Sequence, residues 1–347
     1  MQPTEYKFCP DEQINDWFIQ HGQPSYRRRQ LEDWLFNKWA ASTEEMQNLP
    51  KNLRQLLDAE FTLFSVNPVE IQVAEDETTK FLLRLADEET IESVLIPTRR
   101  RETVCISTQV GCPVGCVFCA TGRQGFARNL SPGEILDQVI FACHHLQKRV
   151  TNVVVMGMGE PLLNLDALLP ALQRMTDADG LDIGARRITV STSGIPDGIR
   201  ALAAENRQWN LALSLHAPDE TTRRKIIPAP HRFPISEILD ACSFYKQETG
   251  RIITLEYALI HDLNDHPEQA HEVAMLASRI GAKVNLIPYN SVVDSLAPPN
   301  SKRLREFKQQ LHARGVPVTI REPRGTDIDA ACGQLKGKRA GARRPLR

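Results

Sequence analysis

The chain has 347 residues, 41% hydrophobic and 24% charged, with a formal net charge of −1, a composition ordinary for a soluble globular protein of about two domains. The balanced charge leaves any case for nucleic-acid binding to local patches, no apolar run approaches the ~18 residues of a membrane helix, and the first residues lack a signal peptide's apolar core. Eight cysteines in so long a chain read as reduced, cytoplasmic thiols with metal or redox duties, not as a secreted disulfide framework.

Residues 11–60 read as helical, with large apolar residues at i, i+3, i+4 in Asp16-Trp-Phe-Ile19 and Leu31-Glu-Asp-Trp-Leu-Phe36, and with Pro50 near the start of another helix. Between these runs lies Ser25-Tyr-Arg-Arg-Arg-Gln30, either a solvated face or a phosphate-contacting patch with a stacking Tyr26 beside Arg27, Arg28 and Arg29. Three short strand-like runs follow: Glu70–Ala74, Lys80–Leu85 and Glu92–Pro97. Acidic turns separate them, which suggests a small antiparallel β unit. Arg99, Arg100 and Arg101 form a second basic cluster.

From about residue 103, strand-like and helical runs alternate in the rhythm of βαβ units and a parallel sheet. The expected strands are Thr103–Thr108, Asn152–Met156, Arg187–Ser191, Leu211–Leu215, Ile252–Leu259, Lys283–Ile287 and Val316–Arg321. Ser131, Pro132 and Glu134 mark the start of one helix, as N-cap, N1 and N3. In such barrels chemistry gathers where strands end in loops. Gly157-Met-Gly-Glu-Pro161, Ser191-Thr-Ser-Gly194, Ser214-Leu-His216 and Ile287-Pro-Tyr-Asn290 all fall there. Taken alone, Gly157–Pro161 reads equally well as a tight βα turn or as a ligand site, and a lone histidine such as His216 is more often a satisfied core residue than a ligand.

Cys112, Cys116 and Cys119 form a C-x3-C-x2-C run in a glycine-bearing loop. Three thiolates so close favour zinc or iron–sulfur. A structural zinc would want a fourth ligand nearby, and the nearest candidates, Cys105, Cys143, His144 and His145, lie outside the loop. Three ligands and an open position suit a catalytic cluster. Cys9, Cys143 and Cys242 read as small buried hydrophobes. Cys332 does not, because Gly325, Gly333 and Gly337 mark a loop where a thiol could reach a site.

The cysteine spacing resembles the signature of radical S-adenosylmethionine (SAM) enzymes, in which three cysteines hold a 4Fe-4S cluster and SAM chelates the fourth iron. Gly157–Pro161 resembles that superfamily's GGEP-type motif. The resemblance puts Gly159, Glu160, Ser191, Ser214, Leu215, His216 and Asn290 around SAM, and Cys112, Cys116 and Cys119 on the metal. Further stretches narrow it: Cys105–Gln109, Gln124–Leu130, Gly157–Asn164, Ser214–Pro218, Asn285–Asn290 and Arg324–Leu335 resemble the RlmN/Cfr family of radical SAM RNA methyltransferases, on the RlmN side, over nearly the whole chain.

What the resemblance implies is an α/β fold with a partial (β/α)6 TIM-like barrel, an N-terminal helical domain and a small antiparallel β unit. The implied boundaries are 1–62 helical, 63–100 β extension, 101–323 barrel, and 324–347 catalytic loop and basic tail. Its chemistry would be methylation of adenine C2 through a methyl group carried on Cys332, using two SAM per turnover, with Cys105 releasing the product by disulfide formation. Glu92, at the matching position, is the implied base; its other reading is an exposed strand-edge carboxylate. Pro161 and Ser193 favour C2 over the C8 chemistry of the resistance relatives. Implied partners are 23S rRNA, tRNA and a flavodoxin- or ferredoxin-type electron donor for a monomeric, cytoplasmic enzyme. Tyr26, Arg27 to Arg29, Arg99 to Arg101 and the tail from Lys336 are candidate RNA contacts. Two competitors remain: a radical SAM enzyme with a non-RNA substrate would leave Cys105 and Cys332 idle, and an RNA-binding protein with a structural metal would leave the strand-end polar set unexplained.

Overall fold

The computed structural model describes residues 4–228 and 233–337. Strand β1 (Thr4–Glu5) precedes helices α1 (Asp11–Gln20), α2 (Tyr26–Glu32) and α3 (Lys51–Glu60), and β2 (Phe61–Thr62) returns to pair in parallel with β1. Apolar spacing makes these helices one packed unit, with Ile14, Trp17, Phe18, Leu31, Leu53 and Leu57 all buried. Lys7 is buried too, and its ammonium meets Asp137 at 2.8 Å, which ties this unit to the barrel. A pair so enclosed fixes orientation, since removing one partner strands a charge.

Strands β3 (Asn67–Val73), β4 (Thr79–Arg84) and β5 (Thr90–Thr98) form an antiparallel meander. Its two acidic turns carry Glu77 and Glu88 at φ +66° each. The meander joins the main sheet, because β5 pairs with β6 (Arg101–Cys105). After β6 come a two-stranded ribbon, β7 (Gln109–Gly111) with β8 (Phe126–Asn129), and the short α4 (Ala120–Arg123) between them.

The alternating region follows: α5 (Pro132–Leu146), β9 (Asn152–Val155), α6 (Leu165–Thr176), β10 (Ile188–Thr192), α7 (Pro196–Ala204), β11 (Asn210–Ser214), α8 (Glu220–Ile226), α9 (Ile235–Thr249), β12 (Thr254–Leu259), α10 (Pro267–Ile280), β13 (Lys283–Pro288), α11 (Ser301–Ala313) and β14 (Val318–Ile320). The ten strands run in the order β14-β13-β12-β11-β10-β9-β6-β5-β4-β3. From β6 to β14 all pairings are parallel, and β14 does not close back on β6. This is an open, partial barrel, the expected fold class. Helix α5 begins as read from the sequence, with Ser131 and Glu134 in a reciprocal capping box and Pro132 at N1.

The first barrel strand stops at Cys105, short of the expected Thr108: Ile106 N–H still reaches the Val154 carbonyl of β9, but the amides after it leave the ladder. Ser107 N–H donates to Gln138 Oε1 at 2.8 Å and Thr108 N–H to the Met158 carbonyl. The chain therefore turns across the barrel mouth where the cysteine loop starts. Arg99 and Arg100 occupy the β5–β6 turn at the opposite end of β6 from Cys105.

Candidate active site

The C-terminal ends of the parallel strands surround a cavity of about 240 Å³. Cys112, Cys116, Cys119, Cys105, Cys332, Gly159, Glu160, Ser191, Ser214, His216 and Asn290 all line it. Seven separate strand-end or loop segments supply them, so the convergence is a product of topology. Two expected residues lie elsewhere. Leu215 is 1% exposed in the hydrophobic core, as its side chain points away from the cavity. Glu92 is also outside the lining: its carboxylate accepts the Lys336 N–H at 2.8 Å and lies 3.5 Å from the Lys80 ammonium. It is a buried, engaged carboxylate and not an exposed strand-edge one.

The cysteine loop is held by its backbone. Cys112 N–H donates to the Gly125 carbonyl and Cys119 N–H to that of Cys116, while Val117 N–H reaches the Ile226 carbonyl of α8. Val114, Ala217, Ile226 and Ile227 form a small apolar cluster beneath it. Burial pushes the Cys112 thiol up to about 12 and raises Cys116 and Cys119 as well, so the loop wants a cation to offset thiolate charge. A single zinc does not suit it. Among the described residues, the only three potential ligands with donor atoms all within 4.8 Å are His261, Asp262 and Asp265. At least one pair of the three sulfurs thus stands farther apart than the ~4.6 Å that two Zn–S bonds of ~2.3 Å can span. Thiolates set apart in this way fit a polynuclear iron–sulfur cluster, which takes one sulfur per iron.

Across the cavity, Gly159 lies at φ +107°, and a Cβ there would come within 2.7 Å of the Gln109 Cβ and 2.8 Å of Thr108 Oγ1. Only glycine lets the β9–α6 turn pass this close to the cysteine ribbon. The turn delivers Glu160, whose buried carboxylate accepts from Leu162 N–H at 3.1 Å, Thr192 Oγ1 at 2.7 Å and Ser193 N–H at 2.7 Å. Desolvation raises its pKa despite these bonds. Ser191 Oγ and Ser214 Oγ lie 3.4 Å apart on adjacent strands. His216 has φ +56° and accepts the Ala258 N–H on Nδ1 at 3.0 Å, which leaves the proton on Nε2. Burial drives its pKa down to about 3, helped by the Arg223 charge. It is a neutral imidazole whose ring meets Phe118 of the cysteine loop edge-on at 4.8 Å.

The two remaining thiols face each other's electrostatics. Burial pushes Cys105 up to about 12, and a charge on Cys332 adds to the rise. Both are free, as are all eight cysteines, so the expected Cys105–Cys332 disulfide is not part of this structure. Asn290 Nδ2 donates to the Cys332 carbonyl at 3.0 Å, and Ala120 N–H to that of Gly333 at 2.7 Å.

Several lining residues carry no sequence motif. Arg321 stands where charges on Cys332, Glu256 and Cys105 all favour its cation. Glu256 accepts from Asn285 Nδ2 at 2.7 Å, and Asn285 Oδ1 in turn accepts from Thr319 Oγ1 at 2.9 Å, a polar rung across β12, β13 and β14. Desolvation raises the Glu256 pKa. A charged residue alternating into an apolar parallel strand was the available signal for Glu256. Arg321 had a weaker one, the strand-end position alone.

Of the basic residues, Arg28 is committed to Asp11, to Asn15 Oδ1 at 2.9 Å and to Glu32 Oε1 at 2.7 Å. Arg27 donates to Gln30 and to the Asn48 carbonyl. Arg29 and Tyr26 are exposed. The tail from Lys336 falls outside the described residues beyond Gly337.

The same arrangement recurs in known proteins. Residues 106–274 match the Radical SAM superfamily, and residues 9–63 match the Ribosomal RNA large subunit methyltransferase N-terminal domain. A protein of Synechococcus sp. (strain CC9902) named probable dual-specificity RNA methyltransferase RlmN is 46% identical over 332 residues, covering 93% of this chain and 94% of its own length. One of the same name from Thermus thermophilus is 47% identical over 315 residues, covering 89% and 88%. The crystal structure of a radical SAM methyltransferase from Sphaerobacter thermophilus superposes with a TM-score of 0.92 at 42% identity, covering 96% of this chain and 99% of that one. With relatives this similar over nearly its full length, the chain belongs to the RlmN family of radical SAM RNA methyltransferases.

Proposed function

We propose that this enzyme methylates C2 of an unstacked adenine in RNA, with the methyl group carried on Cys332, and that 23S rRNA and the adenosine 3′ of the anticodon in some tRNAs are its targets. The observation that carries the reading is that two free thiols, Cys105 and Cys332, line the same cavity as the three-cysteine loop. A radical SAM enzyme acting on another substrate has no use for them. When bound, the 4Fe-4S cluster supplies one-electron reducing power, and two SAM molecules per turnover supply the methyl group and a hydrogen-abstracting radical.

Cys112, Cys116 and Cys119 hold the cluster, and Gly159, Glu160, Ser191, Ser214 and Asn290 orient SAM beside it. His216, locked neutral, contributes only its Nε2–H and its ring face against Phe118. Cys332 reaches the cavity from a half-buried loop, and Cys105 stands by as the second thiol that frees the product. Glu92 shares a face of β5 with Val94 and Ile96, both in the cavity lining. It serves as the base for the adenine proton once the segment at Lys336, which its carboxylate now holds, moves aside. A flipped base enters from the strand-end side.

The helical unit at 1–62 is assigned to RNA through Tyr26 and Arg29, the 63–100 extension supports the barrel of 101–323, and 324–347 is the catalytic arm. No helix of the described residues is long and apolar enough to cross a membrane. A cytoplasmic monomer served by a flavodoxin- or ferredoxin-type donor fits that reading.

The test is anaerobic reconstitution with SAM, a reductant and RNA, followed by mass spectrometry of the nucleosides. 2-Methyladenosine that disappears in Cys332→Ala supports the reading. 8-Methyladenosine overturns the carbon assignment. SAM cleavage without any methylated adenine overturns the RNA reading.

A further inference from the structure

The loop that carries Cys332 is fastened to a part of the chain that contributes nothing to the cavity. Gly325 N–H donates to Asp76 Oδ2 at 3.2 Å, and the Arg324 guanidinium lies 3.6 Å from the same oxygen. In return, Glu75 N–H donates to Asp327 Oδ2 at 3.1 Å. The β3–β4 turn and the start of the arm thus exchange one carboxylate and one amide each. Asp76 divides its two oxygens between tasks: Oδ1 accepts Thr78 N–H at 3.0 Å and shapes the turn, while Oδ2 faces the arm. Partial burial raises its pKa, but the Thr78 and Gly325 bonds and the Arg324 charge outweigh that and hold the carboxyl below its usual range. It is ionised at neutral pH.

Steric fit adds to the bonds. Gly325 has φ +59°, and a Cβ there would meet the Ala330 Cβ at 2.8 Å and Thr78 Cγ2 at 2.9 Å. Further along, Lys80 Nζ donates to the Asp329 carbonyl at 3.4 Å, and the arm leaves past Glu92. Asn290 and Ala120 hold the Cys332 and Gly333 carbonyls on the cavity side, and the clasp fixes where the arm sets out toward them.

We propose that Asp76 and Asp327 are positioning residues, a reciprocal clasp by which the β3–β4 turn sets where the Cys332 sulfur stands in the cavity. The proposal rests on the reading that Cys332 carries the methyl group. The clasp touches neither substrate nor cofactor. Its role is to make transfer productive, so that a radical formed in the cavity finds the methylated sulfur and not solvent.

The experiment uses the full chain. Hydrogen exchange is read first, on protein without cofactors. In Asp76→Ala, amides of Thr326–Gln334 should exchange about tenfold faster, with barrel amides unchanged. The reconstituted variant should keep its iron and its SAM cleavage rate, and its KM for RNA. It should lose about three- to tenfold in kcat for RNA methylation, as expected for one lost hydrogen-bonded contact. SAM consumed per adenine methylated should rise accordingly. Asp76→Asn, which still offers an oxygen to Gly325 N–H, should restore most of the coupling. Asp327→Ala should change the same amides and kcat in the same direction but by less, since Asp76 also holds Thr78 N–H and faces Arg324. The double variant should be no worse than Asp76→Ala, because the same clasp is lost. Unchanged exchange in Asp76→Ala, independent effects in the double variant, or a proportional loss of iron and SAM cleavage would each overturn the clasp. Failure of the wild-type chain to methylate adenine would sink the proposed reaction instead, since exchange is read on the protein alone.

Discussion

Asn290 donates from Nδ2 to the backbone carbonyl of Cys332 at 3.0 Å, which joins the end of β13 to the thiol-bearing arm across the cavity. A hydrogen bond of this kind is worth about 1 kcal/mol net. Asn290→Ala should therefore slow methylation of Cys332 about fivefold. Asn290→Asp should be worse, because a carboxylate cannot donate and faces a carbonyl oxygen. Mass spectrometry of the Cys332 peptide over time distinguishes them, and wild-type rates in both variants would show that the contact positions nothing.

The glycine at 159 admits no side chain. Gly159→Ala adds a Cβ within 2.8 Å of two neighbours at φ +107°, a strain of about 1–3 kcal/mol. The turn must shift and take Glu160 with it. Loss of SAM binding by calorimetry with only a modest fall in melting temperature is the expected result.

Protonation of His216 should help unfold the protein in acid. Its pKa falls from 6.5 to about 3 on folding, so the unfolded chain binds the extra proton between those values. The stability this group contributes is full above pH 6.5 and is lost as the pH falls toward 3, at up to about 1.4 kcal/mol per pH unit. Urea unfolding of cofactor-free His216→Gln should show a shallower acid slope than wild type over that window. An identical slope would mean that His216 is not held neutral.

The arginines after Tyr26 should separate by role. Arg28, bonded to Asp11, Asn15 and Glu32, belongs to the fold, and Arg28→Ala should cost about 1–2 kcal/mol of stability. Arg29 is exposed with no side-chain partner among the described residues. Arg29→Ala should leave stability unchanged and weaken RNA binding, with a smaller dependence on salt. Filter binding at two salt concentrations reads both effects.

Metal content provides a further check. Anaerobically reconstituted protein should bind about four irons and no stoichiometric zinc, and Cys116→Ala should lose them. Because Val114, Ile226 and Ile227 pack beneath the loop and the strands and helices carry their own hydrogen bonds, chelation should leave the far-ultraviolet dichroism unchanged. Global unfolding on chelation would point to a structural zinc instead.

Much of this site was legible because its motifs are local. The cysteine spacing, the Gly157–Pro161 turn and the strand-end serines each need only a few residues of context, and alternating strands and helices bring their ends together. The burial of the Leu215 side chain was not legible, because a place at a strand end does not say which face looks inward. Glu256 left a trace, a charge in an apolar strand, and Arg321 only its strand-end position. The engagement of Glu92 was not legible, because it depends on a pairing with Lys336, 244 residues apart, which no local pattern encodes. The same holds for Asp76, which reads as one acid in an acidic turn until Gly325 is seen against it.

The distance along the chain between those last two has a consequence for biosynthesis. Asp76 and Gly325 are separated by 249 residues, which at roughly 5–20 residues per second puts the turn in place about 10–50 seconds before its partner is made. The barrel, with its cysteine loop, is also translated ahead of the arm. On the proposed reaction, nascent chains would therefore present the three-cysteine mouth before Cys332 is made, and a chain truncated before Thr326 would cleave SAM to a radical that meets no methylated sulfur. Competence for transfer arrives last, with the closing stretch of the arm.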